Sequence, residues 1–522
     1  MKKLTLLLCF VSFLTKAQNI TVASGKSFTI EKTGAVTMSG NFSNAGTFTL
    51  NSDSNEFSSI IIGGSVTGNI SYNRYVNSVG TNEWDLIGAP VEGQSINSFV
   101  TANASTLASN GDAYAIGYYD NYWNEWENYT TSSNWYPFDG NFLLGMGFQM
   151  ATISGGTLKF TGAPAATNKT QPIVDFSVGE GEGEGGGEGT RWNLVANPFP
   201  SYIHANTNAD SSHNFLTVNS DKLNDSYEAI YGYDADGSGY TVYNNTSAAL
   251  RLAPGQAFMV ASDNAENDTI SFTTAMRTTT GGDDLIVGRD PIDSFELVLK
   301  LYEGDSEIDH TKFYFGDGLS LNLDPGYDAG HFNQGASLMS RLVEEDEGVG
   351  LVINAMGLES VNDVVAPLEL NIEAGNNFRI SIGTFNIDTA INVYLEDNVQ
   401  ETMTLLNDQD FELTAENELS GVGRFFIHLT ETLLSIDDKI ETNYLNVFKA
   451  DVNNFITVEG LANQSNGTKL RLYTIRGKEV TFTTLNNTNN KQTISTQGLS
   501  TGIYIVKLES GNILLTKKLF IK

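Results

Sequence analysis

The segment Tyr118-Tyr-Asp-Asn-Tyr-Trp-Asn-Glu-Trp-Glu-Asn-Tyr129, followed by Trp135-Tyr-Pro-Phe138, holds three of the chain's five tryptophans. Flat amphipathic rings beside Asn and Glu can stack on sugar faces while the polar groups read hydroxyls. Trp123, Trp126, Trp135 and Tyr136 are therefore candidate glycan-binding residues. The same pattern also suits aromatic pairs facing each other across two antiparallel strands. Both readings stand at the level of sequence.

Other groups offer less chemistry. Asp234, Asp236 and Ser238 place oxygens at alternate positions, as the start of a calcium loop does. Asn245 stands where such a loop needs its closing acid, and Asp with Gly is also ordinary turn chemistry. Calcium is the one cofactor the pattern suggests; otherwise none is expected. The five histidines, His204, His213, His310, His331 and His428, form no His-Glu-X-X-His, and no serine stands in Gly-X-Ser-X-Gly. The single cysteine is Cys9. No catalytic residues are assigned, and a non-enzyme is expected.

The elements that carry these residues read as all-β. From Gln18 to Tyr75 runs a series of very short strands, Ile20-Thr-Val22 to Ile60-Ile-Ile62, broken by Asn, Gly and Ser. Such strands are stable only when stacked, which implies a short β-solenoid over 18–75. An internal duplication follows. Glu83-Trp-Asp-Leu-Ile-Gly-Ala-Pro90 matches Arg191-Trp-Asn-Leu-Val-Ala-Asn-Pro198. Tyr114–Asp120 matches Glu228–Asp234, Gly147–Met150 is set against Gly255–Met259, and Ser95–Phe99 against Ser201–Ile203. This gives β-rich copies at 76–165 and 166–280, the second with a Gly/Glu-rich loop at 179–189 expected to be disordered. Phe295, Leu297, Leu299 and Leu301 alternate on one face, as do Phe378-Arg-Ile-Ser-Ile382 and Arg424–Leu429. An antiparallel β-sandwich is expected over 291–432, since at about 25 cal/mol per Å² several such faces sustain one core.

The two ends speak of address. Met1-Lys2-Lys3, the apolar Leu4–Leu14 and the small Ala17 read as a signal peptide over 1–17, cleaved between Ala17 and Gln18. Cys9 follows the large Leu8, which argues against lipid attachment. No other apolar run approaches membrane-spanning length, so no transmembrane segment is expected in the mature chain. The chain carries a net charge of −33, which argues against nucleic acid as a partner. The charge is uneven. Residues 434–522 hold 11 Lys+Arg and 7 Asp+Glu, whereas residues 18–433 hold 15 and 55. That break marks a separate module.

The module at 444–522 resembles the C-terminal sorting domain of proteins exported by the type IX secretion system of diderm bacteria. The resemblance rests on Leu472-Tyr-Thr-Ile-Arg-Gly477, Leu499-Ser-Thr-Gly-Ile-Tyr504-Ile-Val-Lys507 and the basic Lys517-Lys518. It assigns the motif to Gly477, Leu499, Gly502, Tyr504, Lys517 and Lys518. Asn446-Val-Phe-Lys-Ala-Asp451 stands where the family has a Tyr-Pro-Asn-Pro-like turn. The resemblance implies a small terminal β-sandwich and secretion machinery as a partner. It also implies delivery outside the cell, with release or attachment to surface polysaccharide. Asp268-Thr-Ile270 and Asp388-Thr-Ala390 resemble the O-glycosylation sites of these bacteria. The expected product is a secreted or cell-surface binding or structural protein, adhesin-like in kind. Two alternatives remain: a glycan-binding accessory protein, and a hydrolase without a recognisable motif.

Overall fold

The computed structural model describes residues 18–521 apart from 81–83, 132–139, 178–188, 235–238, 265, 267, 283, 285–294, 333–334, 388–389, 432–444, 450–454, 465–466, 475–476, 501 and 512. The signal segment with Ala17, residues 179–188 of the Gly/Glu-rich loop, Trp135, Tyr136, Asp236, Ser238 and Thr389 lie outside the described residues. The fold class is all-β, as the sequence implies.

Short strands open the chain because Asn, Gly and Ser interrupt every apolar run. β1 (Ile20–Val22), β2 (Ser27–Ile30) and β3 (Ala35–Met38) make one coil; β4 (Phe42–Asn44), β5 (Thr47–Asn51) and β6 (Ser59–Ile62) make the next. β7 (Val66–Thr67) and β8 (Ile70–Val76) begin a third. Each strand pairs in parallel with its counterpart one coil on: Ile20 with Phe42, Phe42 with Val66, Phe28 with Phe48, Leu50 with Tyr72, Val36 with Ile60. Three faces thus stack inward-pointing Val22, Phe42, Phe48, Leu50 and Ile60 into one column. No strand could bury its apolar side without the coil above or below.

The first copy contains β9 (Asp85–Ile87), α1 (Ile96–Asn103), β10 (Ser109–Asn110), β11 (Ala113–Asp120), β12 (Glu125–Thr130), β13 (Phe148–Met150) and β14 (Gly156–Gly162). The second contains β15 (Lys169–Ile173), β16 (Trp192–Ala196), β17 (Tyr202–His204), α2 (Phe215–Asn219), β18 (Ile230–Asp234), β19 (Gly239–Tyr243), β20 (Arg251–Leu252), β21 (Ala257–Ala261), β22 (Asp268–Phe272) and β23 (Arg277–Thr278). The strand order β9-β13-β11-β12 in one is β16-β21-β18-β19 in the other. β14 pairs antiparallel along β8, as β22 does along β15. β8 is therefore shared: it closes the solenoid by its parallel edge and opens the first copy by its antiparallel edge. The boundary at 75/76 falls inside this strand, and a single core runs from Val22 to Phe160.

The structure corrects two parts of the sequence match. In α1, Asn103 donates through Nδ2 to Phe99 O (2.9 Å) and Lys159 O (3.1 Å), and accepts from Lys159 N (2.7 Å). In α2, Asn219 donates to Phe215 O (2.9 Å) and Ser271 O (3.1 Å), and accepts from Ser271 N (2.7 Å). The counterpart of Phe99 is thus Phe215; Tyr202 and Ile203 instead belong to β17, paired with β20 and β23. Strand register also makes Gly145, not Gly147, the counterpart of Gly255. Both adopt positive φ, +84° and +68°, where a side chain would strain the backbone.

With that register the two copies contact each other reciprocally. Gly88 N donates to Gly255 O (2.7 Å) and Ala196 N to Gly145 O (2.8 Å). Ile87 bridges Gln256 and Val195 bridges Met146. Residue i meets j′ while i′ meets j, the signature of a local two-fold. At its centre Gly88 meets its own counterpart: a Cβ on Gly88 would lie 2.2 Å from Ala196 Cβ.

The third unit holds β24 (Phe295–Glu303), β25 (Ser306–Gly316), β26 (Ala329–Gly330), β27 (Ser337–Ser340), β28 (Leu351–Gly357), β29 (Asp363–Asn371), β30 (Asn377–Phe385), β31 (Asn392–Asp397), β32 (Thr402–Leu405), β33 (Phe411–Thr414) and β34 (Phe425–Thr430). Here the expected sandwich takes the form of one continuous sheet, β32-β31-β34-β29-β27-β28-β25-β24-β30-β33, with β26 beside β28 and a parallel β25–β28 pair. Its two ends, β32 and β33, are consecutive in the chain, so a short turn nearly closes it into a barrel. Leu297, Leu299 and Leu301 fill the inside; Phe295, expected among them, is 46 % exposed at the strand's start.

The tail is a two-sheet sandwich. β35 (Asn446–Phe448), β36 (Phe455–Glu459) and β39 (Gln492–Ser495) form one sheet; β37 (Thr468–Thr474), β38 (Glu479–Leu485), β40 (Gly502–Ser510) and β41 (Ile513–Ile521) form the other. Val447, Ile456 and Val458 pack on Leu470, Leu472, Val506 and Leu508 between them.

Candidate functional site

The tail motif residues have structural reasons. Gly477 sits at φ +81° between β37 and β38, open to solvent, so it is required for its backbone and not for space. Tyr504 is buried, and its hydroxyl donates to Ser500 O (2.8 Å), stapling the turn that precedes β40. Leu499 packs against the tail core, and Gly502 opens β40. Lys518 points to solvent. Lys517 does not: its Nζ donates to Asp346 O of the barrel, and burial pulls its pKa down.

That contact belongs to a larger dock which no motif announced. Arg341, 1 % exposed, lies at its centre. Its guanidinium reaches Asp346 (2.9 Å) and Glu369 (2.9 Å) of the barrel and Glu459 (3.1 Å) of the tail. Glu459 is fully buried and pairs with Lys491 at 2.6 Å. Asn446 Nδ2 donates to Asp346 Oδ2 (2.9 Å), Asn490 Nδ2 to Val422 O, and the Phe448 ring lies against Gly348. Buried charges are held only when paired and hydrogen-bonded. The sorting tail is therefore seated on the barrel. Asn446-Val-Phe, where the family's usual turn is replaced, supplies part of the seat.

The aromatic segment divides in two. Trp126 on β12 stands opposite Tyr119 on β11, ring centroids 5.4 Å apart. In the second copy Tyr240 stands opposite Tyr233 at 5.2 Å, in the equivalent register. The pair is thus common to both copies. Tyr240 packs further on Phe332 (4.1 Å), and Phe332 on Trp192 (4.4 Å). Tyr119, Trp126, Trp192, Tyr233 and Tyr240 form one half-buried layer between the copies and the barrel. Trp123 is different. Asp120 Oδ1 accepts from Tyr122 N (3.0 Å) and Trp123 N (3.3 Å), so the β11–β12 turn holds both rings outward. Tyr122, Trp123 and Phe176 are 41 %, 42 % and 38 % exposed, with Tyr122 edge-on to both neighbours. Sequence reasoning missed Phe176, which lies far along the chain.

The titratable groups with clear partners or shifts are spread over separate elements. His428 meets Glu396 (2.8 Å), His331 meets Asp309 (2.9 Å), and burial lowers the pKa values of His204 and His310. Asp85, Glu228 and Asp328 are each pushed up to about 7, chiefly by burial. The like charge adding to that is different for each: Asp284, Asp225 and Asp324. Among the described residues, no three His, Cys, Asp or Glu side chains gather to hold a metal. Asp234 lies at the end of β18, opposite Gly239. Among the described residues, no helix is long and apolar enough to cross a membrane.

Residues 450–522 match the secretion system C-terminal sorting domain, so the molecule is an all-β protein bearing a type IX sorting tail. Residues 10–428 match a family described as a domain of unknown function, DUF8693, and the chain belongs to that family. No curated protein matches it. The DUF8693 match ends before the tail begins, and runs across the solenoid, both copies and most of the barrel.

Proposed function

We propose that the chain is cargo of type IX secretion that acts outside the cell as a non-enzymatic binding or structural protein. The observation that carries this reading is the division of labour in the chain. A tail of known address is seated on a large acidic body. His331 and His428 are paired with carboxylates, and a half-buried aromatic layer serves as mortar between units. An N-terminal signal segment would take the chain across the inner membrane first. The test is fractionation of cells making the full chain or a version ending at Leu433. The full chain reaches the medium or cell surface; the shortened one stays in the periplasm. Equal export of both would remove the reading.

A glycan-binding role is the second reading, favoured by the outward Tyr122, Trp123 and Phe176 rings. Aromatic faces this exposed on a turn suit stacking against sugars. Trp123→Ala should abolish binding on a glycan array, whereas Trp126→Ala should weaken the fold instead. Binding unchanged in Trp123→Ala would exclude the turn as the site.

A further inference from the structure

We propose that the outer face of the β38-β37-β40-β41 sheet is the surface by which the exported chain is recognised, and that its partner presents carboxylates. This rests on the export reading above and names the face that serves it. Docking to the barrel leaves the tail with two unequal sides. Hydrogen bonds and ion pairs to the barrel include those of Asn446, Glu459, Asn490 and Lys517. The first three belong to the three-stranded sheet or its connections, and Lys517 lies on the edge strand β41. The opposite side therefore faces away from the cargo.

That side is basic and aromatic. Strand register sets Lys469 beside Glu509, Arg471 beside Lys507 and Phe482, and Tyr473 beside Ile505. The Arg471 guanidinium lies 4.5 Å over the Phe482 ring, and Lys507 Nζ is 5.9 Å from the Tyr473 ring. Phe482 is 51 % exposed. Glu479 meets Arg471 at 2.9 Å and Glu509 meets Lys469 at 4.0 Å, which leaves Lys507 and Lys518 in excess on the face. The body of the chain is strongly acidic. An acidic partner is repelled by that body and attracted by this patch, so charge both selects the face and orients the encounter. Exposed aromatic rings among the cations give such a partner something to bury once it arrives.

The experiment uses the full chain with Lys469→Glu and Lys507→Glu together. Both sites are exposed on the face opposite the dock, so the melting temperature should stay within a few degrees. Export, read as the secreted fraction in a bacterium with type IX machinery, should fall at least tenfold. Lys469→Gln with Lys507→Gln should give an intermediate loss, because charge is removed without being reversed. Normal export of the Glu variant overturns the proposal, and does so independently of the export reading if the chain ending at Leu433 is still retained. Purified wild-type protein is also mixed with phosphatidylcholine–phosphatidylglycerol vesicles. If wild type binds them and the normally exported Glu variant does not, a lipid surface is the occupant and the proposal again fails.

Discussion

Arg341 shows how much can depend on one side chain. It is buried with carboxylates from two units, and removing it takes the guanidinium partner from Asp346 and Glu369 and leaves Glu459 with Lys491. Arg341→Met should destabilise the docked chain by about 3–5 kcal/mol, measured by urea unfolding followed in the tail. Lys491→Met should cost much less, because that lysine is half exposed and Arg341 still holds Glu459. Asp85 makes the opposite case. Asn77 N–H and Nδ2 donate to it at 2.8 and 2.9 Å, yet burial and Asp284 raise its pKa to about 7. Its folded value thus lies above the unfolded value of about 3.9. Its contribution is fully present below the unfolded value and is lost as pH rises through 7. Asp85→Asn should therefore gain stability relative to wild type between pH 5 and pH 8, checked by melting both proteins across that range.

At the scale of elements, the duplication was the most legible feature, because Trp-Asp-Leu-Ile-Gly-Ala-Pro and Trp-Asn-Leu-Val-Ala-Asn-Pro begin the same strand. Its inner register was not. Gly145 and Gly147 are both glycines before an apolar run, and only positive φ separates the turn residue from the one that leads into β13. Asn103 and Asn219 were equally hidden: a lone buried Asn has no sequence signature, although each ties its helix to a strand by two hydrogen bonds and closes a third within the helix. The outward turn at Trp123 could be suspected from its rings, but Phe176 comes from a distant segment. The two-fold contact gives a sharp expectation. Gly88→Ala pushes a methyl group into Ala196 and should cost about 1–3 kcal/mol. Ala196→Gly in the same chain should recover part of the loss, a coupling that a double-mutant cycle measures.

Across the whole molecule, alternation and composition fixed the all-β class and the separate tail. What they could not reveal is which units are joined. β8 serves two sheets, and Val22 to Phe160 share one core. Leu50→Ala in the solenoid and Phe148→Ala in the first copy should therefore lower the same unfolding transition, each by about 2–5 kcal/mol. Two separate transitions in calorimetry, each moved by only one substitution, would show the units to be independent. The seat around Arg341 is likewise a long-range product, drawing charges from positions more than a hundred residues apart.

The double duty of β8 also sets a timetable. A chain emerging from its N-terminus can stack its coils as soon as they appear, but the far edge of β8 must wait about 80 residues for β14. Until then a row of unpaired amides lies bare, a template on which a neighbouring copy could add a strand. Crowded, half-emerged molecules would tangle at that edge first, so the solenoid's growth point doubles as the place where an escort protein would be most useful.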